Sequence, residues 1–316
     1  MVSKARKLVS NDNDYSLNFM FIIFQGFSYL KSGGFHHALD LFQNAFSLAK
    51  VTDNSLFKAR SLFFQGFAYG LCGQFNNACS FFSEGLSSFR VLNDPLGIFL
   101  CEFYLGIVNL LDNKINDARK LFEGCKVFAD SADFMSATGL SVFYPAGISL
   151  KSGDIHGAIS SLEYSFYLFN KTGLLSLAKE SALGLVESYF KLVSFYICNK
   201  KNRLCQDMVN KALCYFDSVD PQVFLFVFIN SCLIPSLKVN IEHVVPLLKV
   251  VEHLEGALPF AWAVKTFNTV KAILSFFSSG KKISCFNCVG PVESLLIAPL
   301  VSRVECSNYD PFNGFV

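Results

Sequence analysis

The sequence predicts an all-α protein, an α-solenoid of stacked antiparallel helix-turn-helix hairpins, and three observations carry that expectation. The stretch KSGGFHHALDLFQNAF, Lys31 to Phe46, returns at a forty-residue step as LCGQFNNACSFFSEGL, LDNKINDARKLFEGCK and KSGDIHGAISSLEYSF. Within each copy apolar residues recur at helical spacing and turn formers separate the helical stretches. Hydrophobic residues make up 52 % of the 316 and charged residues only 16 %, so more apolar surface must be buried than in an average domain.

The columns of the repeat justify each element in turn. Gly33, Gly73, Asn113 and Gly153 are residue types that adopt the left-handed conformation in which helices end. Next come Phe35, Phe75, Ile115 and Ile155, then Ala38, Ala78, Ala118 and Ala158. From each Ala one face of a helix runs forward at offsets of four, seven and eleven, as in Ala38, Phe42, Ala45, Ala49 and in Ala118, Phe122, Cys125, Ala129. Twelve residues before each Ala stands a small residue, Gly26, Gly66, Gly106 or Ala146. A helical Gly costs about 1 kcal/mol against Ala, so its recurrence calls for close approach of two helix backbones. Asp53, Asn93, Asp133 and Gly173 close each unit as turn formers. Neither helix of such a unit buries its apolar face alone, so units must stack.

These boundaries give a flexible N-terminus over 1–14, repeats over about 15–54, 55–94, 95–134, 135–173 and 174–220, degenerate repeats or a capping bundle over 221–305, and an irregular tail over 306–316. In the fifth unit the helix Leu174 to Ile197 ends late, at the turn Asn199 to Asn202, and its partner carries Met208, Ala212 and Tyr215. Further helices are expected at 222–235, 241–256, 258–279 and 290–305, with breaks at Pro246 and Pro299.

Composition excludes several function classes. The net charge is +2 from 27 basic and 25 acidic residues, without the basic stripe that phosphate neutralisation leaves in nucleic-acid binders. The cluster Lys200, Lys201, Arg203 reads as a solvated turn. No apolar run reaches the ~20 residues of a membrane span, and no small-residue cleavage site follows Leu17 to Phe24. The cysteines, among them Cys79, Cys101, Cys125 and Cys214, fall at helix-interior positions and read as small buried hydrophobes in a reducing, cytoplasmic setting. Cys285 and Cys288 form a CxxC without a second ligand pair. The 36 phenylalanines beside one tryptophan read first as a T-rich codon bias and second as an aromatic binding surface. No GxSxG elbow, P-loop or HExxH occurs. His36 and His37 share a first helical turn, and His243 and His253 stand ten residues apart. No enzyme activity, metal or cofactor is expected.

The order Gly-x2-Tyr at Gly26, Tyr29 and Gly66, Tyr69, followed by Ala-x3-Phe at Ala38, Phe42 and Ala78, Phe82, resembles the tetratricopeptide repeat. The resemblance spans about Tyr15 to Thr172. It departs in its period of forty, in the Trp column held by Ile22, Leu62, Glu102 and Val142, and in lacking the terminal Pro. The longer unit is similar to those of kinesin light chains, G-protein signalling modulators and the sensor arms of signal-transduction ATPases and cyclases. The resemblance implies a right-handed superhelix whose first helices line a concave groove. It places that groove at Ile23, Phe27 and Leu30; Arg60, Phe63 and Phe67; Phe103, Ile107 and Leu110; and Phe143 and Leu150, with Met20, Gly70, Leu100, Leu140 and Gly147 in the same columns. Arg60 is the one charge there, which argues against gripping a C-terminal carboxylate. The expected function is a non-enzymatic protein-protein interaction scaffold or adaptor that binds a helix or extended segment of a partner protein. The later helices of the chain are the competing occupant of the groove. The alternative function is the sensor or regulatory arm of a larger signalling enzyme; an RNA-binding helical repeat would need a basic groove.

Overall fold

The computed structural model of this chain describes residues 15–233, 235–236 and 245–258, together with positions 267, 268, 270, 271 and 274. The expected N-terminal segment and irregular tail, the helix at 290–305, most of that at 258–279, and His243, Cys285, Cys288 and Pro299 lie outside the described residues. Every regular element among the described residues is helical. The fold is all-α, built from antiparallel helix-turn-helix repeats.

The first four pairs of helices follow one another directly along the chain. They are α1 (Tyr15–Lys31) with α2 (Phe35–Val51), α3 (Ser55–Leu71) with α4 (Phe75–Leu92), α5 (Pro95–Leu111) with α6 (Ile115–Ser131), and α7 (Met135–Ser152) with α8 (Ile155–Thr172). The fifth pair is α9 (Leu175–Cys198) with α10 (Asn202–Leu213). At 24 residues α9 is longer than the 17 or 18 of its predecessors, and this length carries the late turn.

All turns from α1 to α10 are the same motif. At the first, the Gly34 N–H donates to the Tyr29 carbonyl at 2.8 Å and the Gly33 N–H to that of Leu30 at 3.1 Å. This pair of bonds satisfies carbonyls that a helix end leaves orphaned, and it requires a left-handed residue at the turn. Both turn columns supply one, from Gly33 (φ 76°), Asn113 (φ 59°) and Gly153 (φ 89°) to Asp53 (φ 49°), Asn93 (φ 52°) and Asp133 (φ 51°). Lys200 (φ 57°) takes the position in the turn before α10. Asn54, Asp94 and Asp154 follow directly and cap the next helix, each accepting a backbone N–H with its side chain.

Inside a hairpin the Ala-based face is the core. Ala38, Phe42, Ala45 and Ala49 are fully buried, as are Ala118, Phe122, Cys125 and Ala129. The small-residue column has a sharper reason than approach of two backbones. A Cβ on Gly66 would lie 2.9 Å from the Phe82 ring, one on Gly106 2.9 Å from the Phe122 ring, and one on Gly26 would overlap the Phe42 ring. The glycine makes room for an aromatic side chain on the second helix. In the fourth hairpin the same pair of positions holds Ala146 and Leu162, both buried: a larger residue on one side is matched by a smaller one on the other.

The chain forms two compact units, divided between Tyr144 and Pro145 inside α7. In the first, consecutive helices from α1 to α6 pack on one another, and α3 also meets α5. Arg90 on α4 reaches Glu102 on α5 at 2.9 Å, and Thr138 on α7 bonds Asp130 on α6 at 3.1 Å. In the second unit α9 packs on both α8 and α10. The buried stripe of α10 is Cys205, Val209 and Ala212, which corrects the expectation of Met208, Ala212 and Tyr215: only Ala212 is shared. Beyond it, Asp220 caps α11 (Pro221–Phe228), which runs on as one π-helical turn to Leu233. The helix expected at 241–256 is shorter. A 3₁₀ turn, Val245–Leu247, contains Pro246 and leads into α12 (Leu248–Leu254), consistent with a ring that has no N–H to give and is tolerated best in a first turn.

Candidate partner-binding surface

The expected groove residues divide by exposure. Ile23, Leu30, Phe67, Phe103, Ile107 and Phe143 are buried, between 1 % and 9 % exposed. Phe27, Phe63, Leu110 and Leu150 are half-buried, and Arg60 is exposed. Of the remaining residues in those columns, Met20 and Gly147 are exposed, Leu100 is half-buried, and Gly70 and Leu140 are buried. An open groove lined by every one of these positions is therefore not what the chain presents; the accessible strip is narrower.

The cause is a column of rings that the sequence reading passed over. Two residues before each small residue stand Phe24, Phe64, Tyr104 and Tyr144. The last three fill the seam between hairpins. Phe64 lies 5.3 Å from Phe27 and 5.6 Å from Phe42. Tyr104 lies 5.4 Å from Phe63, 5.3 Å from Phe67 and 5.9 Å from Phe82. Tyr144 lies 5.4 Å from Phe103 and 5.7 Å from Phe122. Each of these rings thus sits in a socket built by both helices of the preceding hairpin, at centroid distances where aromatic pairs attract beyond simple burial. The phenylalanines assigned to the groove wall spend much of their surface on that socket. The signal was present in the sequence as an aromatic at one fixed offset in all four copies.

What remains accessible in the first unit is Met20, Phe27, Arg60, Phe63, Leu100 and Leu110, apolar apart from one guanidinium. Burial pushes the Cys101 and Cys125 thiols up to about 12, which removes the thiolate that a nucleophile or metal ligand needs. Cys214 corrects the expectation of a buried cysteine, being exposed where α10 ends. His36 and His37 are exposed, and the His37 ring stacks on Tyr29 at 5.2 Å. In the second unit the Tyr189 hydroxyl donates to Glu163 at 2.7 Å, and burial together with this carboxylate raises its pKa. Among the described residues no three His, Cys, Asp or Glu side chains are placed to hold a metal ion, and no helix is long and apolar enough to cross a membrane.

No protein-family model matches the sequence, and no curated protein matches it. Solved structures do resemble the fold. The apo form of RapI is 12 % identical over 96 % of this chain and 80 % of its own, with a TM-score of 0.56. A Rap protein complexed with competence and sporulation factor is 14 % identical over 94 % of this chain and 80 % of its own, at 0.52. A signal-transduction ATPase with numerous domains and a tetratricopeptide repeat sensor, from Pyrococcus horikoshii, is 15 % identical over 92 % of this chain and 43 % of its own, at 0.60. At these identities the likeness is one of fold, that of helical-repeat proteins.

Proposed function

We propose that this chain is a helical-repeat scaffold that holds a partner polypeptide along the first helices of its hairpins. The observation that carries the reading is the accessible strip of Met20, Phe27, Arg60, Phe63, Leu100 and Leu110. It is apolar, repeats with the hairpins and has a single positive charge near its middle. Such a strip suits an extended or helical segment with apolar anchors and one acidic residue. Support of a weaker kind comes from the Rap protein that was solved with competence and sporulation factor on the same fold.

The test is affinity capture with the intact protein beside an Arg60→Glu, Leu100→Asp double variant. These positions are exposed and half-buried, so the helical circular dichroism signal should persist. Phe103 is unsuitable for this purpose, being 1 % exposed. Loss of a captured polypeptide from the variant supports the reading, and an identical set of captured proteins refutes it.

A second reading, the sensor or regulatory arm of a larger signalling protein, draws on the repeat sensor of the Pyrococcus horikoshii ATPase. It predicts that the captured partner is itself a nucleotide-binding or cyclase polypeptide.

A further inference from the structure

We propose that Arg60 sets the specificity of the strip: the bound partner segment lies extended across α1, α3 and α5 and carries a carboxylate side chain beside its middle apolar anchor. This deepens the partner-binding reading above and rests on it.

The repeat breaks its own pattern at this position. Six residues before each small residue stand Met20, Arg60, Leu100 and Leu140, three long apolar side chains and one guanidinium. Departures of this kind from an otherwise consistent pattern collect at functional sites. Nearby cations are neutralised within the chain, Lys58 by Asp53 at 2.8 Å and Arg90 by Glu102 at 2.9 Å. Arg60 is exposed and forms no ion pair among the described residues.

One helical turn further on stands Phe63, half-buried, so the charge flanks the apolar anchor of the middle hairpin. A segment laid on that anchor takes water away from the guanidinium. An acidic side chain replaces the lost hydration with a charge-assisted hydrogen bond. A neutral one leaves a desolvated donor unpaired, and a basic one adds repulsion. The strip thus selects by the sign of a charge, while its apolar residues supply contact area.

The spacing of the anchors favours one backbone. The Phe64 ring bridges them, 5.3 Å from Phe27 on α1 and 5.5 Å from Phe63 on α3, in keeping with a step of about 8–10 Å between packed helices. A polyproline-II segment rises about 3.1 Å per residue with three residues per turn. Every third side chain then faces the same way at roughly the helix step, one for each hairpin. The segment that fits is apolar at every third residue, with Asp or Glu next to the middle one.

The experiment pans a displayed library of random peptides on the intact chain and, separately, on Arg60→Glu, whose helical circular dichroism signal shows that it is folded. The native chain should enrich peptides with apolar residues at every third position and an acid between them. Arg60→Glu should enrich the same apolar spacing with Lys or Arg in place of the acid. A synthetic peptide from the first set should bind Arg60→Glu more weakly by about tenfold or more, and the same peptide with its acid replaced by lysine should recover on that variant. This reciprocal recovery separates a lost charge contact from a lost fold. Enriched peptides that lack an acid, or that bind both proteins equally, overturn the inference while leaving the strip as a partner surface. A native chain that enriches no peptide overturns both.

Discussion

The Phe82 ring lies directly over the Cα of Gly66, so close that a methyl group on residue 66 would stand 2.9 Å from the ring. The same relationship links Gly106 to Phe122 one hairpin later. It sets the size limit at the heart of each repeat.

Gly66→Ala should therefore destabilise the protein even though Ala is the better helix former. Propensity contributes about 1 kcal/mol in its favour, while overpacking against a fully buried ring costs about 1–3 kcal/mol. A net loss on the order of 1 kcal/mol is expected as a lower urea midpoint. Adding Phe82→Leu recreates the pairing of Ala146 with Leu162 and should recover most of that loss. Strict additivity of the two substitutions in urea unfolding would contradict the account.

Gly33→Ala should cost about 1–2 kcal/mol for a different reason. A Cβ there meets nothing within 4 Å, but φ is 76°, so the whole penalty is conformational. Gly33→Asn should cost less than Gly33→Ala in thermal melts, and Asn113→Gly should be neutral or slightly stabilising.

Alkali should weaken the fold. Burial holds the Cys101, Cys125 and Cys205 thiols protonated up to about 12 against an ordinary value of 9.0. Between those values the unfolded chain binds fewer protons than the folded one. The stability these thiols contribute is fully present below about pH 9 and is lost as pH rises toward 12, at about 1.4 kcal/mol per pH unit for each thiol. Cys125→Ala, which places in the third repeat the residue found at Ala45 in the first, should lower the slope measured by urea titration at successive pH values. Under native conditions at neutral pH a thiol reagent should label exposed Cys214 well before these three.

Pro145 stands inside α7, where it removes a helix hydrogen bond and crowds the preceding turn. Pro145→Ala should raise the melting temperature, by an amount equivalent to at most about 3 kcal/mol. A lower melting temperature would mean that the ring makes packing contacts worth more than the missing bond.

Much of this architecture was legible because the repeat sorts residues by mechanism. Gly33, Asn113 and Gly153 announce left-handed turns, and Ala38 with Phe42, Ala45 and Ala49 announces a buried face, since both depend on local geometry that spacing encodes. The groove was harder to read. Columns on a helix give the direction in which Phe63 or Phe103 points, but whether that direction ends in solvent depends on a residue of the next hairpin, Tyr104 or Tyr144. The bounds of the short helix after Leu233 were also beyond reach, because no repeat column extends there to set its register.

The socket for each seam ring is assembled from both helices of the hairpin before it, and the turns on either side admit a single conformation. Such an array tolerates changes of length very unevenly. Duplicating or removing forty residues at once delivers every ring to an equivalent socket, whereas gaining or losing one residue within a helix rotates the rings downstream by about 100° and misdirects them all. Lineages of this chain should then differ by whole hairpins rather than by small insertions inside them.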